Sequence, residues 1–389
     1  MKVSLKKLSE QTLVITGASS GIGLVTAREA ARRGARLVLT ARSEDALRRL
    51  VEEVRAQGGE AVYVVADVGR EEDVRRVAQK AREEFGGFDT WVNNAGVSIY
   101  GPITKTSVED MRRLYDTNFW GVVHGSLAAV EHLRHRGGAL INVGSTLSER
   151  AVPVQGVYSS SKFAVKGFTD ALRMELEAEG APVSVTLVKP SAIDTPYTWH
   201  AKNLMDEEPA VPPPVYAPEV VAEVILHCAE NPVRDAFAGG AGKAIAAGEK
   251  YAPRLTDKVM EATMFRMQRL GEPPSRPRDG GLYEASGELV ERGGRSAYVM
   301  ESSLYSKASL HPFVTTALVF GAGLALAALL PTRAAGEGEA ARGNGRRRPN
   351  GRRGGRADGR ADGRAGEQAE GRQAGAHVWP SAAGLPAEG

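Results

Sequence analysis

Tyr158 and Lys162 are the residues whose types and spacing most directly suggest chemistry. They stand four apart in Tyr158-Ser159-Ser160-Ser161-Lys162, at the head of a stretch to Glu179 whose pattern predicts one long helix. Residues i and i+4 share a helix face, so the phenol and the ammonium point the same way. A free phenol titrates at about 10. A nearby ammonium favours the phenolate and lowers that value, toward the range that a general acid–base needs. The Y-x-x-x-K spacing also arises by chance, so the elements that position it must decide its meaning.

The first of these is Thr12 to Thr16, a short β-branched run that predicts a strand. It meets Gly17-Ala18-Ser19-Ser20-Gly21-Ile22-Gly23, and a helical pattern follows to Arg33. Glycines let the chain turn tightly and let a phosphate approach the backbone, where free N–H groups and the helix dipole hold it. The spacing is G-x-x-x-G-x-G, not the commoner G-x-G-x-x-G. A second unit follows, with a strand at Arg36–Thr40 and an amphipathic helix from Ser43 to Gln57. Between them lies Arg42. In such folds an acidic residue there binds the ribose 2′-hydroxyl of NAD, whereas an arginine pairs with the 2′-phosphate of NADP. With no carboxylate before Glu44, NADP is favoured over NAD.

Further strands are expected at 61–65, 90–93, 139–143, 183–188 and 235–238. Helices are expected at 71–85, over one long stretch 107–136, and at 219–230. Alternating strand and helix argues a parallel α/β sheet, doubly wound, with helices on both faces. Ligands of such sheets bind beyond the carboxyl ends of the strands. Gly17, Arg42, Asp67, Asn94, Ser145 and Pro190 all fall just past expected strand ends.

Taken together these segments resemble the short-chain dehydrogenase/reductase family over about residues 9–240. The resemblance rests on TGASSGIG at 16–23, Asp67-Val68, Asn93-Asn94-Ala95-Gly96, Asn118, Ser145, YSSSK at 158–162 and PSAIDT at 190–195. It implies a Rossmann-type catalytic domain over 1–245 that transfers hydride between a nicotinamide cofactor and an alcohol or ketone. By that resemblance Tyr158 is the general acid–base and Lys162 lowers its pKa and bonds the nicotinamide ribose. Ser145 polarises the substrate oxygen, and Asn118 holds a proton relay. Gly17, Ser19, Ser20, Gly21, Ile22 and Gly23 form the phosphate turn. Asp67 and Val68 face adenine, Asn94, Ala95 and Gly96 line the cofactor, and Pro190, Ile193 and Thr195 lie at the nicotinamide. The family usually has Pro-Gly where this chain has Pro190-Ser191. The family also implies a homo-oligomer. A cofactor-binding scaffold of the same fold is the alternative, but it has no need of Asn118, Ser145, Tyr158 and Lys162 together.

The remaining composition bounds the partners. The net charge is +3, and residues 331–389 hold eleven Arg against seven Asp or Glu, which leaves the rest near −1. The folded part is therefore not expected to be a basic nucleic-acid binder. The single cysteine, Cys228, excludes an internal disulfide and suits a reducing compartment, and no secretory signal peptide is expected because the opening residues lack a long apolar run. The histidines show no metal-ligand spacing, and His132 and His135 are expected as solvated helix residues.

The proline-rich stretch 196–218, with Trp199 and Met205, is expected to be a loop over an apolar substrate pocket. Beyond it, 246–311 reads as a C-terminal extension. It has an amphipathic helix at 253–270, with Leu255, Val259, Met260, Met264 and Met267 roughly on one side, and then an irregular connector. Phe313 to Leu330 is 18 uncharged residues, within the length that spans a bilayer. It is expected to attach the enzyme to the membrane with the catalytic domain in the cytoplasm. Residues 331–389 are too poor in large apolar residues to fold.

Overall fold

The computed structural model describes residues 3–310 except 286, 288 and 295–297, together with residue 315. A seven-stranded parallel sheet organises it. Its strands are Thr12–Thr16 (β1), Arg36–Ala41 (β2), Ala61–Val65 (β3), Thr90–Asn93 (β4), Gly138–Val143 (β5), Val183–Pro190 (β6) and Asp235–Ala238 (β7). They lie in the order β7-β6-β5-β4-β1-β2-β3. Strands β1, β4, β5 and β6 are buried throughout, because helices cover both faces of the sheet.

One face is covered by Gly21–Arg32 (α1), Glu44–Ala56 (α2) and Pro218–Glu230 (α7), which bring in Leu24, Leu47, Leu50, Val221 and Ile225. The other is covered by Glu71–Phe85 (α3), Gly121–Arg136 (α5) and Gly156–Ala178 (α6), with Val77, Leu133, Leu172 and Leu176. Local signals set several ends. Ser43 caps α2 by accepting from the Ala46 N–H, and Gly86 closes α3 in the left-handed conformation. The chain winds outward from β1 through β2 to β3, then returns to β4 on the other side of β1. This switch of direction between β1 and β4 opens a crevice at their carboxyl ends.

The expected helix over 107–136 is three elements. Val108–Tyr115 (α4) passes into one π-helical turn, Asp116–Trp120, before α5. Such turns re-aim side chains and concentrate at functional sites, and Asn118 lies in this one. The proline-rich stretch is more ordered than a loop. Ile99–Tyr100 pairs with Lys202–Asn203, and Val215–Tyr216 lies between Ala192–Ile193 and Val299–Met300 in a small parallel sheet.

The extension packs on the catalytic domain through Gly240–Tyr251 (α8), Pro253–Met267 (α9) and Leu304–Leu310 (α10). The apolar residues of α9 do not share one inward face. Met260 is buried, while Leu255 and Val259 are 66% and 50% exposed. His132 is not simply solvated either, since its Nε2 accepts the Phe88 N–H at 3.2 Å and its ring lies tilted against that of Phe88, with centroids 4.4 Å apart. Among the described residues no helix is long and apolar enough to cross a membrane. The segment expected to do so, 313–330, lies outside the described residues apart from 315, as does the tail 331–389.

Candidate active site

The phosphate turn is built by the ends of β1 and β4. Thr16 Oγ1 accepts the N–H groups of Asn94 and Ala95 at 2.9 and 3.1 Å. The Asn94 amide donates to the carbonyls of Thr16 and Gly17 at 3.0 and 3.2 Å. Gly17 has a φ of +66°, and a Cβ on it would stand 2.8 Å from Ala95 Cα. A Cβ on Gly23 would stand 2.1 Å from the Gly17 carbonyl oxygen. These glycines let α1 begin directly behind the turn with its N-terminus facing the crevice, which is the cradle a dinucleotide's phosphates fit.

A cavity of about 330 Å³ runs from this turn to Tyr158. Gly17, Ser19, Ser20, Gly21 and Ile22 line one end, with Arg42, Asp67 and Val68 beside them. Asn94, Ala95 and Gly96 form the floor, and Ser145, Tyr158, Lys162, Pro190, Ile193 and Thr195 surround the far end. Two expected site residues lie behind that lining. Gly23 is beneath the turn. Asn118 is fully buried, its Oδ1 accepting the Val97 N–H at 2.8 Å and its Nδ2 donating to Val97 O and Ser161 Oγ at 2.9 and 3.1 Å. It ties the π turn to the strand end and to α6.

Tyr158 and Lys162 stand one turn apart on α6, with Lys162 Nζ 5.7 Å from the centre of the Tyr158 ring. The ammonium donates to the Val143 carbonyl at 2.9 Å, and burial lowers its pKa to about 8. The expected lowering of the phenol is not what the site shows. Burial pushes Tyr158 up to about 12, against the opposing pull of hydrogen bonds with Ser145 and Tyr197. Desolvation outweighs the local polar contacts here. Ser145 follows β5 and caps the next turn, its Oγ accepting from the Leu147 N–H at 3.0 Å.

At the opposite end, Asp67 accepts from Arg113 Nη2 at 2.6 Å and from the Gly69 N–H at 3.0 Å. Burial raises its pKa, but these bonds outweigh burial and hold the carboxyl below its usual range. Arg42 is engaged by main-chain carbonyls of residues 281–284.

Beyond Tyr158 the wall is largely apolar, with Val152, Val211, Pro212, Pro213, Pro214, Ile245, Met260 and Met264, joined by Tyr197 and His200. Trp199 and Met205 do not line it. Trp199 stacks under Arg276 at 3.9 Å, and Met205 is buried with Tyr100, Val154 and Ala201. Ser191, at the usual glycine position, bridges the last strand and α8. Its Oγ donates to Gly239 O at 3.0 Å and accepts from Gly242 N at 3.1 Å.

Sequence reasoning missed one chain of polar groups. The Tyr197 hydroxyl lies 2.8 Å from Ser98 Oγ and donates to Gln155 Oε1 at 2.8 Å. Gln155 Nε2 donates to Gln268 Oε1 at 2.6 Å, and Gln268 Nε2 donates to Pro153 O at 2.9 Å. Both glutamines are buried, so the chain links the end of α9 to the neighbourhood of Tyr158. Tyr197, the first aromatic after PSAIDT, could have been flagged. Nothing in the sequence pairs Gln155 with Gln268. Among the described residues no cluster of His, Cys, Asp or Glu could hold a metal.

The short chain dehydrogenase family pattern matches residues 11–205. An uncharacterized oxidoreductase of Bacillus subtilis, YxnA, is 51% identical over 324 residues, covering 82% of this chain and 91% of its own. The fold is similar to a short chain dehydrogenase/reductase from Burkholderia phymatum in complex with NAD. That match has a TM-score of 0.57 and 26% identity, over 66% of this chain and 96% of the other. It is also similar to an alcohol dehydrogenase from Thermococcus sibiricus complexed with 5-hydroxy-NADP, with a TM-score of 0.52 and 29% identity, over 58% and 95%. Family pattern, relative and fold agree with one another, and this chain belongs to the short-chain dehydrogenase family as an NAD(P)-dependent oxidoreductase.

Proposed function

We propose that the enzyme interconverts a lipophilic ketone and its secondary alcohol with NADP(H), Tyr158 exchanging the proton. The observation that carries this reading is the position of Tyr158. Its hydroxyl meets Ser145 and Tyr197 where the glycine-turn half of the cavity joins the apolar half.

When bound, the nicotinamide supplies hydride to the carbonyl carbon. Ser145 donates a hydrogen bond to the substrate oxygen and so polarises the carbonyl. Tyr158 gives its proton to that oxygen as the C–H bond forms and the C=O double bond becomes a C–OH single bond. The resulting phenolate is favoured by the hydrogen bonds around it and by Lys162, whose pKa of about 8 keeps it cationic at neutral pH. A solvent proton then restores the phenol. Oxidation of the alcohol runs the same steps backwards.

NADP(H) is supported by Arg42 on the cavity wall at the end of β2, where residues 41–43 hold no carboxylate. A guanidinium suits the planar geometry of a phosphate. Lipophilicity is supported by Val211, Ile245, Met260 and Met264, which offer little to a polyhydroxylated substrate. Trp120 at the end of the π turn and Leu127 on α5, with Phe163 and Met174 on α6, are exposed apolar groups that support association of copies through these helices.

The test is a panel of ketones, aldehydes and sugars assayed with NADPH and with NADH by cofactor absorbance. The reading expects turnover of apolar ketones and stronger use of NADPH, both weakened by Met264→Gln and Arg42→Ala respectively. Preference for sugars, or equal use of both cofactors, contradicts it.

A further inference from the structure

We infer that residues 281–284 of the C-terminal extension set the cofactor preference, by holding the guanidinium that a 2′-phosphate needs. The inference rests on the reading of Arg42 as the phosphate partner. Arg42 Nη1 donates to the carbonyls of Leu282 and Tyr283 at 3.4 and 3.1 Å. Its Nη2 donates to those of Gly281 and, at 3.1 Å, Glu284. These contacts take up the hydrogens of both terminal nitrogens. A phosphate cannot bind them in a two-pronged fashion while the carbonyls stay, and its charge is repelled by the carbonyl oxygens.

The clasp is built into the fold. Leu282 is fully buried among Val97, Ile99, Leu114 and Val157. Its carbonyl also accepts from Arg113 Nε at 3.1 Å. The Tyr283 hydroxyl donates to Asp110 at 2.7 Å, and Gly281 N donates to His200 O at 3.0 Å. A second contact, Gly21 N to Val290 O at 2.9 Å, lies on the phosphate turn that both cofactors use. It therefore cannot discriminate between them. The clasp on Arg42 discriminates, because only NADP(H) has to exchange those carbonyls for phosphate. Loosening residues 281–284 then strengthens NADP(H) relative to NAD(H).

The test uses the full chain with 2′,5′-ADP and 5′-AMP as probes, by calorimetry and by amide exchange. In the unaltered protein, 2′,5′-ADP should increase exchange of the Gly281 and Leu282 amides, and 5′-AMP should not. Leu282→Ala removes the anchor and should move the affinity ratio toward 2′,5′-ADP by about tenfold. An unchanged ratio, or a shift toward 5′-AMP, overturns the inference. If the variant does not fold, the amide exchange decides, and 281–282 unchanged or more protected with 2′,5′-ADP bound also overturns it. Binding of 5′-AMP with no effect of the clasp sinks this inference alone, whereas failure to bind either nucleotide sinks the cofactor reading with it.

Discussion

Replacing Lys162 by Met should inactivate the enzyme and yet stabilise its fold in a pH-dependent way. Lys162 is 3% exposed, and burial lowers its pKa from 10.5 to about 8. That drop corresponds to about 3 kcal/mol by which the fold disfavours the charged lysine. Below pH 8 the lysine is charged in both folded and unfolded states, so the penalty is fully felt. Between 8 and 10.5 the folded protein has released the proton and the unfolded chain retains it. The unfolded state then binds more protons, and the stability of the wild type rises with pH. The Met variant lacks this titration. Its stability relative to wild type is therefore greatest at pH 7 and shrinks by about 3 kcal/mol by pH 10.5. The lost bond to Val143 O also reduces the gain, by about 1.5–3 kcal/mol while the donor is charged, and the part of it that depends on the charge is already contained in the lowered pKa. The change with pH is accordingly the clean readout. Urea unfolding of both proteins at the two pH values, followed by tryptophan fluorescence, measures it. A difference that stays constant with pH would refute the reasoning, because it would mean that the ammonium is hydrated in the native state.

Other substitutions probe neighbouring parts of the account. Gln268→Leu leaves the buried Gln155 amide without its partner and should cost about 1–3 kcal/mol of stability. It should also lower kcat through Tyr197, and unchanged unfolding with unchanged kcat would remove the polar chain from the account. Cys228 is fully buried, its thiol pushed up to about 12 by burial, so a thiol reagent should modify the protein only after unfolding. Modification of the native protein would contradict the packing around it. The uncharged run 313–330 should take full-length protein to the membrane pellet, while truncation after Leu310 should leave an active supernatant enzyme. Full-length protein in the supernatant without detergent would contradict membrane attachment.

The strands and glycine turn were legible because their signals are local. An apolar β-branched run followed by G-x-x-x-G-x-G needs no distant partner to be interpreted, and α3, β4 and β7 fall where their patterns put them. The π turn at Asn118 was not legible, since its residues carry an ordinary helical pattern and the partners of Asn118, Val97 and Ser161, are distant in the chain. The phenol's upward displacement was missed for a related reason. Sequence shows the ammonium four residues away, but not the burial that dominates the phenol. The clasp on Arg42 joins residues about 240 apart through main-chain carbonyls, which any side chains could supply. Met264 and Gln268 lie in the C-terminal extension, and only tertiary packing shows that they reach the site.

The most direct test of the central claim is the rate of hydride transfer in Tyr158→Phe, measured in a single turnover with a ketone that the wild type reduces. The substitution keeps the ring and its packing and removes the proton. The account predicts a fall of roughly 100-fold or more, as for general acid–base groups, with cofactor affinity unchanged because the glycine turn is untouched. A Phe variant that transfers hydride at close to the wild-type rate would show that Tyr158 is not the proton donor.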